Sequence, residues 1–441
     1  MAQRKNINIS CRCAVEPLHR CAFFSYLCQS FIIPMKLLYN TGIRIFAALA
    51  YLISPFNRKV RLWVEGRRDW YNKLRGKINP GDKYIWIHCA SLGEFEQGRP
   101  VIEAIKKKRP EYKIILTFFS PSGYEVRKNY QMADIICYLP SDTPVNAARF
   151  INLINPIRVI FVKYEFWFNY LSLLGIREIQ LYLISGIFRK EQHFFRWHGA
   201  FFRKILGYFT WFYVQDQNSS DLLQSIGLSN VTVAGDTRFD RVIQLTATAK
   251  EIPQIEAFKG NEKVFLAGSS WRPDEEIMAG FINKHPERLK WIFAPHKTDP
   301  GNIERLMKLF NVKCIRFSSF SAEFSDARVM IIDNVGILSS AYRYAYIAGV
   351  GGGFGKGIHN ILEPACWGVP VVFGPNHLKF REAVQMKAAG GARVYKNYDE
   401  FESIINDWLT IDESYKIAAE KAGTYVMQNT GATHKIMQRL I

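Results

Sequence analysis

The sequence predicts an α/β protein made of two doubly wound, Rossmann-like halves, and three observations support this prediction. Short β-branched runs alternate with amphipathic stretches, and this alternation pauses in a polar stretch near residues 246–260 before it restarts. The chain has 441 residues, of which 48% are hydrophobic and 22% charged, which suffices for two buried cores. This composition excludes a disordered, collagen-like or disulfide-scaffold protein.

Apolar runs bounded by turn residues are predicted to be buried parallel strands. In the first half they are 84–88, 113–117, 135–139, 159–162 and 180–184, with helical stretches at 97–108 and 144–153. In the second half they are 264–267, 291–294, 329–332, 346–350 and 369–373. We therefore expect one domain at 57–246 and a second at 247–441, facing a cleft, with ligands at the carboxyl ends of the strands.

Charge is distributed unevenly along the chain. Lys and Arg number 58 against 39 Asp and Glu, a net charge of +19, and residues 1–220 hold +17 of this excess. The first half is expected to face nucleic acid or an anionic membrane, unless its basic surface only aids solubility. The eight cysteines have no paired CxxC spacing, so neither a zinc site nor a disulfide framework is indicated, and a reducing compartment is expected.

Residues 35–56 are predicted to form a membrane-associated helix. Only 45–53 lacks polar side chains, which is shorter than the ~20 apolar residues of a spanning helix, so an interfacial helix is expected. A buried first helix is the alternative. The segment 57–68 follows, in which basic residues alternate with Trp63 and aliphatic residues, as suits a lipid headgroup layer. Residues 1–34 lack a signal-peptide pattern and are interpreted as a possible extension before a start at Met35.

Candidate catalytic side chains in the first half follow predicted strands. Glu94 stands at a predicted helix start, where it is either a general base or a partner of the helix dipole. Lys163 and Glu165 follow the fourth strand and form either a polar substrate floor or a structural ion pair. Arg238, in a Gly-Asp-Thr-Arg-Phe-Asp segment, is suited to meet an anion.

The second half contains a candidate nucleotide site. Six glycines lie in 349–357, and backbone amides of such a loop can close around a phosphate, with a helix expected to begin near Asn360. Glu363 is placed to accept hydrogen bonds from ribose hydroxyls. The loop is not the GxxxxGK[ST] loop of an ATPase, and no Asp-x-Asp occurs, so no metal-clamped diphosphate is expected.

These motifs, taken in order, resemble those of 3-deoxy-D-manno-octulosonic acid (Kdo) transferases, which are GT-B glycosyltransferases of lipopolysaccharide assembly. The resemblance runs from about Met35 to the C-terminus. It is carried by the segments Ser91-Leu92-Gly93-Glu94, Glu165-Phe166-Trp167, Gly235-Asp236-Thr237-Arg238-Phe239-Asp240 and His359-Asn360-Ile361-Leu362-Glu363.

The resemblance implies a GT-B fold and an inverting enzyme that transfers Kdo from CMP-Kdo to a lipid A precursor at the cytoplasmic face of the inner membrane. It implies that Glu94 is the proton acceptor and that Arg238 stabilises the transition state. It implies CMP contacts from three segments, namely Pro295-His296, Val335-Gly336-Ile337 and Asn360-Ile361-Leu362-Glu363. Partners would be CMP-Kdo, the lipid acceptor and the anionic membrane surface, without nucleic acid, and no metal cofactor is expected.

The chain departs from the family pattern at three places. Lys163 stands where the family has a glutamate with a transition-state role, so that role has either moved to Glu165 or been replaced by a contact between Lys163 and an anion. His296-Lys297 replaces Arg-His, and Ile337 replaces an acidic residue. The rival functions are a GT-B transferase with a UDP-sugar donor and a non-catalytic lipid- or RNA-binding protein.

Overall fold

The computed structural model describes residues 19–321 and 326–441, and it describes side chains from residue 34 onward. The predicted segment 1–34 therefore lies largely outside the described residues. The chain divides into two compact units. Unit 1 holds the described residues up to Gly98 together with Ile105–Val233, and unit 2 holds Arg99–Ala104 together with Ala234–Ile441.

Unit 1 contains a parallel sheet of seven strands over its described residues. The strands are β1 (Tyr84–Cys89), β2 (Lys113–Phe118), β3 (Ile135–Tyr138), β4 (Arg158–Val162), β5 (Gln180–Gly186), β6 (Trp211–Val214) and β7 (Val231–Val233). The helices are α1 (His19–Ile53), α2 (Arg58–Arg67), α3 (Trp70–Arg75), α4 (Leu92–Lys108), α5 (Pro121–Arg127), α6 (Pro144–Ile154), α7 (Phe168–Ile176), α8 (Ala200–Leu206) and α9 (Gln217–Ser225).

The strand order of unit 1 is β3-β2-β1-β4-β5-β6-β7, which is the doubly wound order with a reversal between β1 and β4. Helices cover both faces of the central strands, so every residue of β1 is buried. Trp86 lies at the centre of the largest core and packs edge-on against Phe150, Phe161 and Tyr170. These contacts fix the ends of β1 and β4, where the first predicted site lies.

Unit 2 repeats this architecture over its described residues. The strands are β8 (Val264–Ser270), β9 (Lys290–Pro295), β10 (Cys314–Arg316), β11 (Val329–Ile331), β12 (Ile347–Val350), β13 (Val371–Phe373) and β14 (Ala392–Val394). The helices are α10 (Thr237–Thr248), α11 (Pro253–Lys259), α12 (Arg272–Lys284), α13 (Pro300–Met307), α14 (Leu338–Ala341), α15 (Leu362–Ala365), α16 (Arg381–Ala389), α17 (Tyr398–Thr410), α18 (Asp412–Gln428) and α19 (Ala432–Leu440). The order β10-β11-β9-β8-β12-β13-β14 reverses between β8 and β12.

The strands predicted from sequence are all present, and the predicted α/β class is confirmed. Four further strands, β6, β7, β10 and β14, were missed. They have three or four residues each, and β7, β10 and β14 lie at sheet edges. A run of three residues is too short for an apolar period to stand out, so their pairing is decided by the neighbouring strand.

Helix α1 differs from the predicted helix at 35–56. It begins at His19, continues through Pro34 and ends at Ile53. From residue 34 onward one face contacts unit 1 through Met35, Tyr39 and Ala50. The opposite face is exposed and apolar, with exposed side chains at Leu37, Leu38, Ile45, Leu49, Leu52 and Ile53. Among the described residues no helix combines the length and apolar character needed to cross a membrane.

The segment after α1 is more buried than its sequence suggested. It folds into α2, whose Trp63, Val64 and Arg67 point into unit 1. The guanidinium of Arg67 donates to the backbone oxygens of Trp63, Leu139 and Phe119, and burial lowers the pKa of Arg67 to about 9. The predicted alternation of headgroup-facing residues is therefore wrong at Trp63 and Arg67, because the helical period turns these two side chains inward.

Candidate functional site

The topological reversal in each sheet coincides with a predicted site. In a doubly wound sheet, ligands bind outside the carboxyl ends of the strands at the reversal point. In unit 1 Glu94 lies in the first turn of the helix after β1, and Glu165 lies in the loop after β4. In unit 2 the loops after β8 and β12 carry Trp271 and the glycine-rich segment 351–357.

Glu94 lies in the first turn of α4, as predicted, and is partly exposed. Ser91 is the residue that precedes this helix, but its hydroxyl makes no cap hydrogen bond with the backbone. The Ser91 hydroxyl donates instead to the Glu94 carboxylate. This contact orients one carboxylate oxygen and leaves the other available to accept a proton, which is the arrangement that a general base requires.

Glu165 lies beside a row of buried polar side chains. His88, at the end of β1, places its Nε2 atom 3.4 Å from Glu165 Oε2, and the indole N–H of Trp167 approaches the same nitrogen at 3.4 Å. The other ring nitrogen of His88 lies 2.8 Å from the Thr117 hydroxyl, which also accepts a hydrogen bond from Trp86 Nε1. The imidazole is fully buried. Its Nε2 atom either donates to Glu165 or accepts from Trp167, because one ring nitrogen cannot do both.

The helix that follows Glu165 is capped by a distant carboxylate. Asp142 accepts hydrogen bonds from the backbone amides of Asn169 and Tyr170 at 3.0 Å each, and from the Tyr39 hydroxyl at 2.6 Å. Burial raises the pKa of Asp142 to about 6, and the hydrogen bonds from Tyr39 and Asn169 oppose this rise. Asp142 thus holds the start of α7, three residues after Glu165, in a fixed position.

Strained backbone occurs at both reversal points. Lys163, directly after β4, has φ +71°, and Ser269, near the end of β8, has φ +51°. Residues other than glycine are uncommon in this left-handed region, where each costs about 1–3 kcal/mol, and such residues cluster at functional sites. The strain turns the chain sharply at the carboxyl end of each strand, which brings the following side chains to the sheet edge.

The glycine-rich segment packs closely against the strands of unit 2. A Cβ atom at Gly351 would overlap the Ser269 carbonyl oxygen, and one at Gly353 would lie 2.6 Å from Gly374 Cα. The amides of Gly351, Gly355, Gly357 and His359 donate to backbone oxygens, and that of Gly352 donates to Asp274. The sequence prediction that these amides close around a phosphate is therefore wrong for these five groups, because three of them bond within 351–359 and two bond to Gly268 and Asp274.

Three rings stack at the carboxyl ends of β8 and β9. The rings of Trp271 and His296 are 4.4 Å apart, those of His296 and His359 are 4.8 Å apart, and Trp271 Nε1 donates to His359 Nε2 at 3.1 Å. Burial lowers the pKa of both histidines. His296 is thereby joined to the glycine-rich segment, whereas the neighbouring Pro295 ends β9.

Arg238 is held by two carboxylates within unit 2. Its guanidinium donates to Asp236 and Glu382 at 2.9 Å each. Burial opposes ionisation of Arg238, but Asp236 and Glu382 outweigh burial and raise its pKa. The side chain is 28% exposed and permanently charged, and its two carboxylate partners fix its orientation.

The remaining residues that the sequence predicts to contact CMP lie on two loops. Asn360 Nδ2 donates to Glu363 Oε1 at 3.0 Å, and Asn360 Oδ1 accepts from the amide of Leu362, where α15 begins two residues later than expected. Ile361 and Leu362 are buried in the core beneath. Val335 is 84% exposed, Gly336 has φ +103°, and Ile337 directly precedes α14, so this segment projects into solvent.

Several residues of these sites were missed at the level of sequence. Asp274 carries a local signal, since an acidic residue three positions after the residue preceding a helix is a capping signature. His88, Asp142 and Glu382 carry none, because their partners are far away in the chain. Within the described residues, no three His, Cys, Asp or Glu side chains are grouped so as to hold a metal ion.

Comparisons with known proteins now bear on these two sites. Residues 64–241 match the family described as 3-Deoxy-D-manno-octulosonic-acid transferase (kdotransferase). The 3-deoxy-D-manno-octulosonic acid transferase of Aquifex aeolicus is 29% identical over 76% of this chain and 88% of its own length. That of Haemophilus influenzae is 25% identical over 82% of this chain and 87% of its own length.

This chain is similar to the Kdo transferases over most of its length. The resemblance noted from the motifs is confirmed, and so is the class of enzyme, a glycosyltransferase. The match at 64–241 includes Glu94, Glu165 and Arg238, while the matches to the relatives extend over most of the chain.

Solved structures confirm the predicted GT-B fold. The UDP-GlcNAc 2-epimerase from Neisseria meningitidis bound to UDP-GlcNAc aligns with a TM-score of 0.57, at 18% identity, over 81% of this chain and 99% of that chain. The UDP-GlcNAc 2-epimerase from Methanocaldococcus jannaschii aligns with a TM-score of 0.50, at 15% identity, over 79% and 99%. At this identity the likeness concerns the fold.

Proposed function

We propose that this chain is an inverting transferase that moves Kdo from CMP-Kdo to a hydroxyl group of a lipid A precursor resembling lipid IVA. The similarity to Kdo transferases supports the donor and the sugar transferred. The single observation that carries the proposal is the partly exposed Glu94 carboxylate, oriented by Ser91 at the reversal point of the unit 1 sheet.

The acceptor is assigned to unit 1. Glu94 removes the proton of the attacking hydroxyl, so that the oxygen becomes a better nucleophile as it forms its bond to the anomeric carbon. Glu165, held by His88, is the second carboxylate at the same sheet edge and takes the transition-state role that a glutamate at position 163 would have. Lys163 contributes a positive charge near the carboxylate or phosphate groups of the substrates.

The donor is assigned to unit 2. Arg238, fixed by Asp236 and Glu382, stabilises the negative charge that develops as CMP departs. Pro295, His296 and the segments 335–337 and 360–363 contact CMP, with Glu363 directed to the ribose hydroxyls. CMP leaves as a monophosphate, so basic side chains suffice and we expect no metal cofactor.

The enzyme is proposed to work at the cytoplasmic side of the inner membrane. The exposed apolar face of α1 and the basic excess of residues 1–220 support this location, since apolar side chains enter the interface while cations attract anionic lipids. No nucleic-acid partner is proposed, because the basic residues accompany an apolar helix and not a row of aromatic platforms.

The test is incubation of the purified protein with CMP-Kdo and a tetraacylated lipid A precursor, with products read by mass spectrometry. The expected product gains the mass of Kdo, and the released nucleotide is CMP. In parallel, CMP should raise the melting temperature of the protein and UDP should not, because ligands stabilise the state that binds them. Protection by UDP alone, without Kdo transfer, would favour a UDP-sugar transferase and refute the proposal.

A further inference from the structure

Helix α1 makes direct hydrogen bonds to the start of α7. The Tyr39 hydroxyl donates to Asp142 Oδ2 at 2.6 Å and accepts from the backbone amide of Phe168 at 3.3 Å. One residue further along α1, Asn40 Oδ1 accepts from Asn169 Nδ2 at 2.9 Å. Asp142 and Asn169 are 2% and 4% exposed, so these bonds lie in a buried polar junction between the two helices.

A second contact between α1 and the residues around the start of α7 runs through an intervening ring. Phe46 of α1 stacks on Phe119, with ring centres 6.4 Å apart, and Phe119 packs at a tilt against Trp167 at 4.9 Å. Trp167 is the residue that precedes α7, and its indole N–H points to His88. Helix α1 therefore contacts the start of α7 directly through Tyr39 and Asn40, and it reaches Trp167 through Phe119 from a position about two helical turns away.

Both contacts reach the chain just after Glu165, at Trp167 and at the start of α7. Trp167 and Glu165 both meet the Nε2 atom of His88, and Phe168 is the first residue of α7. A displacement of the start of α7 would move Trp167 and, through the short connecting chain, Glu165. The opposite face of α1 carries the exposed leucines and isoleucines, so one helix bears both the apolar surface and the junction.

We propose that Tyr39 and Asp142 are positioning residues through which α1 holds Glu165 in its working orientation. The inference rests on the proposed function, in which Glu165 acts on the reacting groups. It adds a role to α1 besides attachment to a lipid surface, because the helix then contributes to turnover even where no membrane is present.

The decisive substitution is Tyr39→Phe, which keeps the ring contacts with Phe168 and Phe201 and removes only the hydroxyl. Its matched control is Tyr51→Phe, because Tyr51 is on the same helix but is 57% exposed. Both variants are assayed with acceptor dispersed in neutral detergent, so that attachment to a membrane does not limit the rate. Vesicle binding is measured separately.

With dispersed acceptor, Tyr39→Phe should lower kcat by about ten- to a hundredfold, because small displacements of a positioned group are costly to the chemical step. KM for CMP-Kdo and binding to vesicles should stay near the wild-type values, and Tyr51→Phe should match wild type throughout. A kcat of Tyr39→Phe within twofold of wild type would overturn the inference and leave α1 as a surface element.

A double-mutant cycle with Glu165→Gln tests whether Tyr39 acts through Glu165. If it does, Tyr39→Phe should lower kcat little further in the Glu165→Gln background, since effects on one interacting unit do not add. Fully multiplicative effects, or a Glu165→Gln variant as active as wild type, would overturn the inference.

Hydrogen exchange supplies a readout that does not depend on the reaction. The amides of Asn169 and Tyr170 donate to Asp142, so exchange in a peptide spanning 163–171 should be faster in Tyr39→Phe than in Tyr51→Phe. Unchanged exchange would overturn the inference. If the wild-type protein transferred no Kdo, the proposed function would fall, and this measurement would still decide whether Tyr39 holds the loop.

Discussion

The candidate sites at the strand-order reversals of the two sheets differ in the groups that form them. In unit 1 the site consists of side chains, namely the partly exposed Glu94 and Glu165, each oriented by one neighbouring polar group. In unit 2 it consists mainly of backbone, a glycine-rich segment that packs on β8 and on the residue after β13 and whose amides donate to protein oxygens at Gly351, Gly352, Gly355 and Gly357. The ionised side chain of Arg238 already has two carboxylate partners there.

This difference indicates that the oriented carboxylates and the packed backbone segment have different functions. A site made of oriented carboxylates can move protons, because its groups gain or lose charge without a change in the backbone. A site made of tightly packed backbone defines a shape and binds, because its groups are fixed before the ligand arrives. Substitutions of Glu94 or Glu165 should therefore change turnover, and substitutions in the glycine-rich segment should change donor affinity.

The largest expected effect is that of Glu94→Gln. Glutamine keeps the size of the side chain and the contact with Ser91 but cannot take up a proton, so turnover should fall by about 10²–10⁴-fold. CMP affinity, measured by calorimetry, should be unchanged.

The control for this prediction is Glu96→Gln on the same helix. Glu96 pairs with Arg127 at 2.7 Å at a partly exposed position, so its loss should cost at most about 1 kcal/mol of stability and leave the rate near wild type. Transfer by Glu94→Gln within a few-fold of wild type would remove Glu94 from the role of base and make Glu165 the residue to test.

In unit 2, Glu363→Ala should weaken CMP binding by roughly ten- to a hundredfold, because a hydrogen bond to a charged group contributes about 1.5–3 kcal/mol. The rate at saturating donor should change little. Calorimetric titration with CMP measures the effect, and Glu287→Ala, at an 84% exposed side chain of the same unit, is the control. Equal CMP affinities of the two variants would exclude Glu363 from the site.

The packing of the glycine-rich segment is tested by Gly351→Ala. Its added Cβ would overlap the Ser269 carbonyl oxygen, so the segment must shift, which lowers the free energy of unfolding by about 1–3 kcal/mol and also weakens CMP binding. At Gly355 the nearest atom to an added Cβ is 3.6 Å away, so Gly355→Ala should retain stability and CMP affinity. Thermal unfolding with and without CMP measures stability and CMP binding. The prediction is wrong if both variants match wild type.

The smallest expected effect concerns the apolar face of α1. Leu52→Ala removes three carbons from a 70% exposed side chain, so partition into anionic vesicles should weaken by about 1 kcal/mol, roughly fivefold. CMP affinity should be unaffected. Ile176→Ala, a similar loss from a 73% exposed position at the end of α7, is the control in vesicle sedimentation. Equal partition of the two variants would refute a membrane role for this face.

Much of the fold followed from local pattern. Buried parallel strands are nearly continuous apolar runs, so the runs at 84–88 and 264–267 could be assigned without their partners. The β-α alternation then implies a parallel sheet, and side chains after each strand must meet at one edge. For this reason Glu94, Glu165 and the glycine-rich segment could be placed at sheet edges from the sequence.

Local pattern misled where a side chain's direction depends on its partners. Arg67 belongs to a basic segment, but its side chain donates to the backbone oxygens of Phe119 and Leu139, just after β2 and β3, and to that of Trp63 in its own helix. The glycines at 351–357 permit a phosphate cradle, but they also permit close packing on a neighbouring strand, and the latter occurs. The glycine content shows which backbone conformations are sterically allowed, and the packing of the folded chain selects one of them.

The sequence by itself determined the two α/β units, the basic character of the first half and the loops on which the reactive side chains stand. Tertiary structure alone decided the pairs: Tyr39 with Asp142, 103 residues apart, His88 with Glu165, 77 apart, and Arg238 with Glu382, 144 apart. Hydrophobic period reports how deeply a residue is buried, but not which polar group it meets there. Buried polar groups require a partner, and only the assembled fold supplies one.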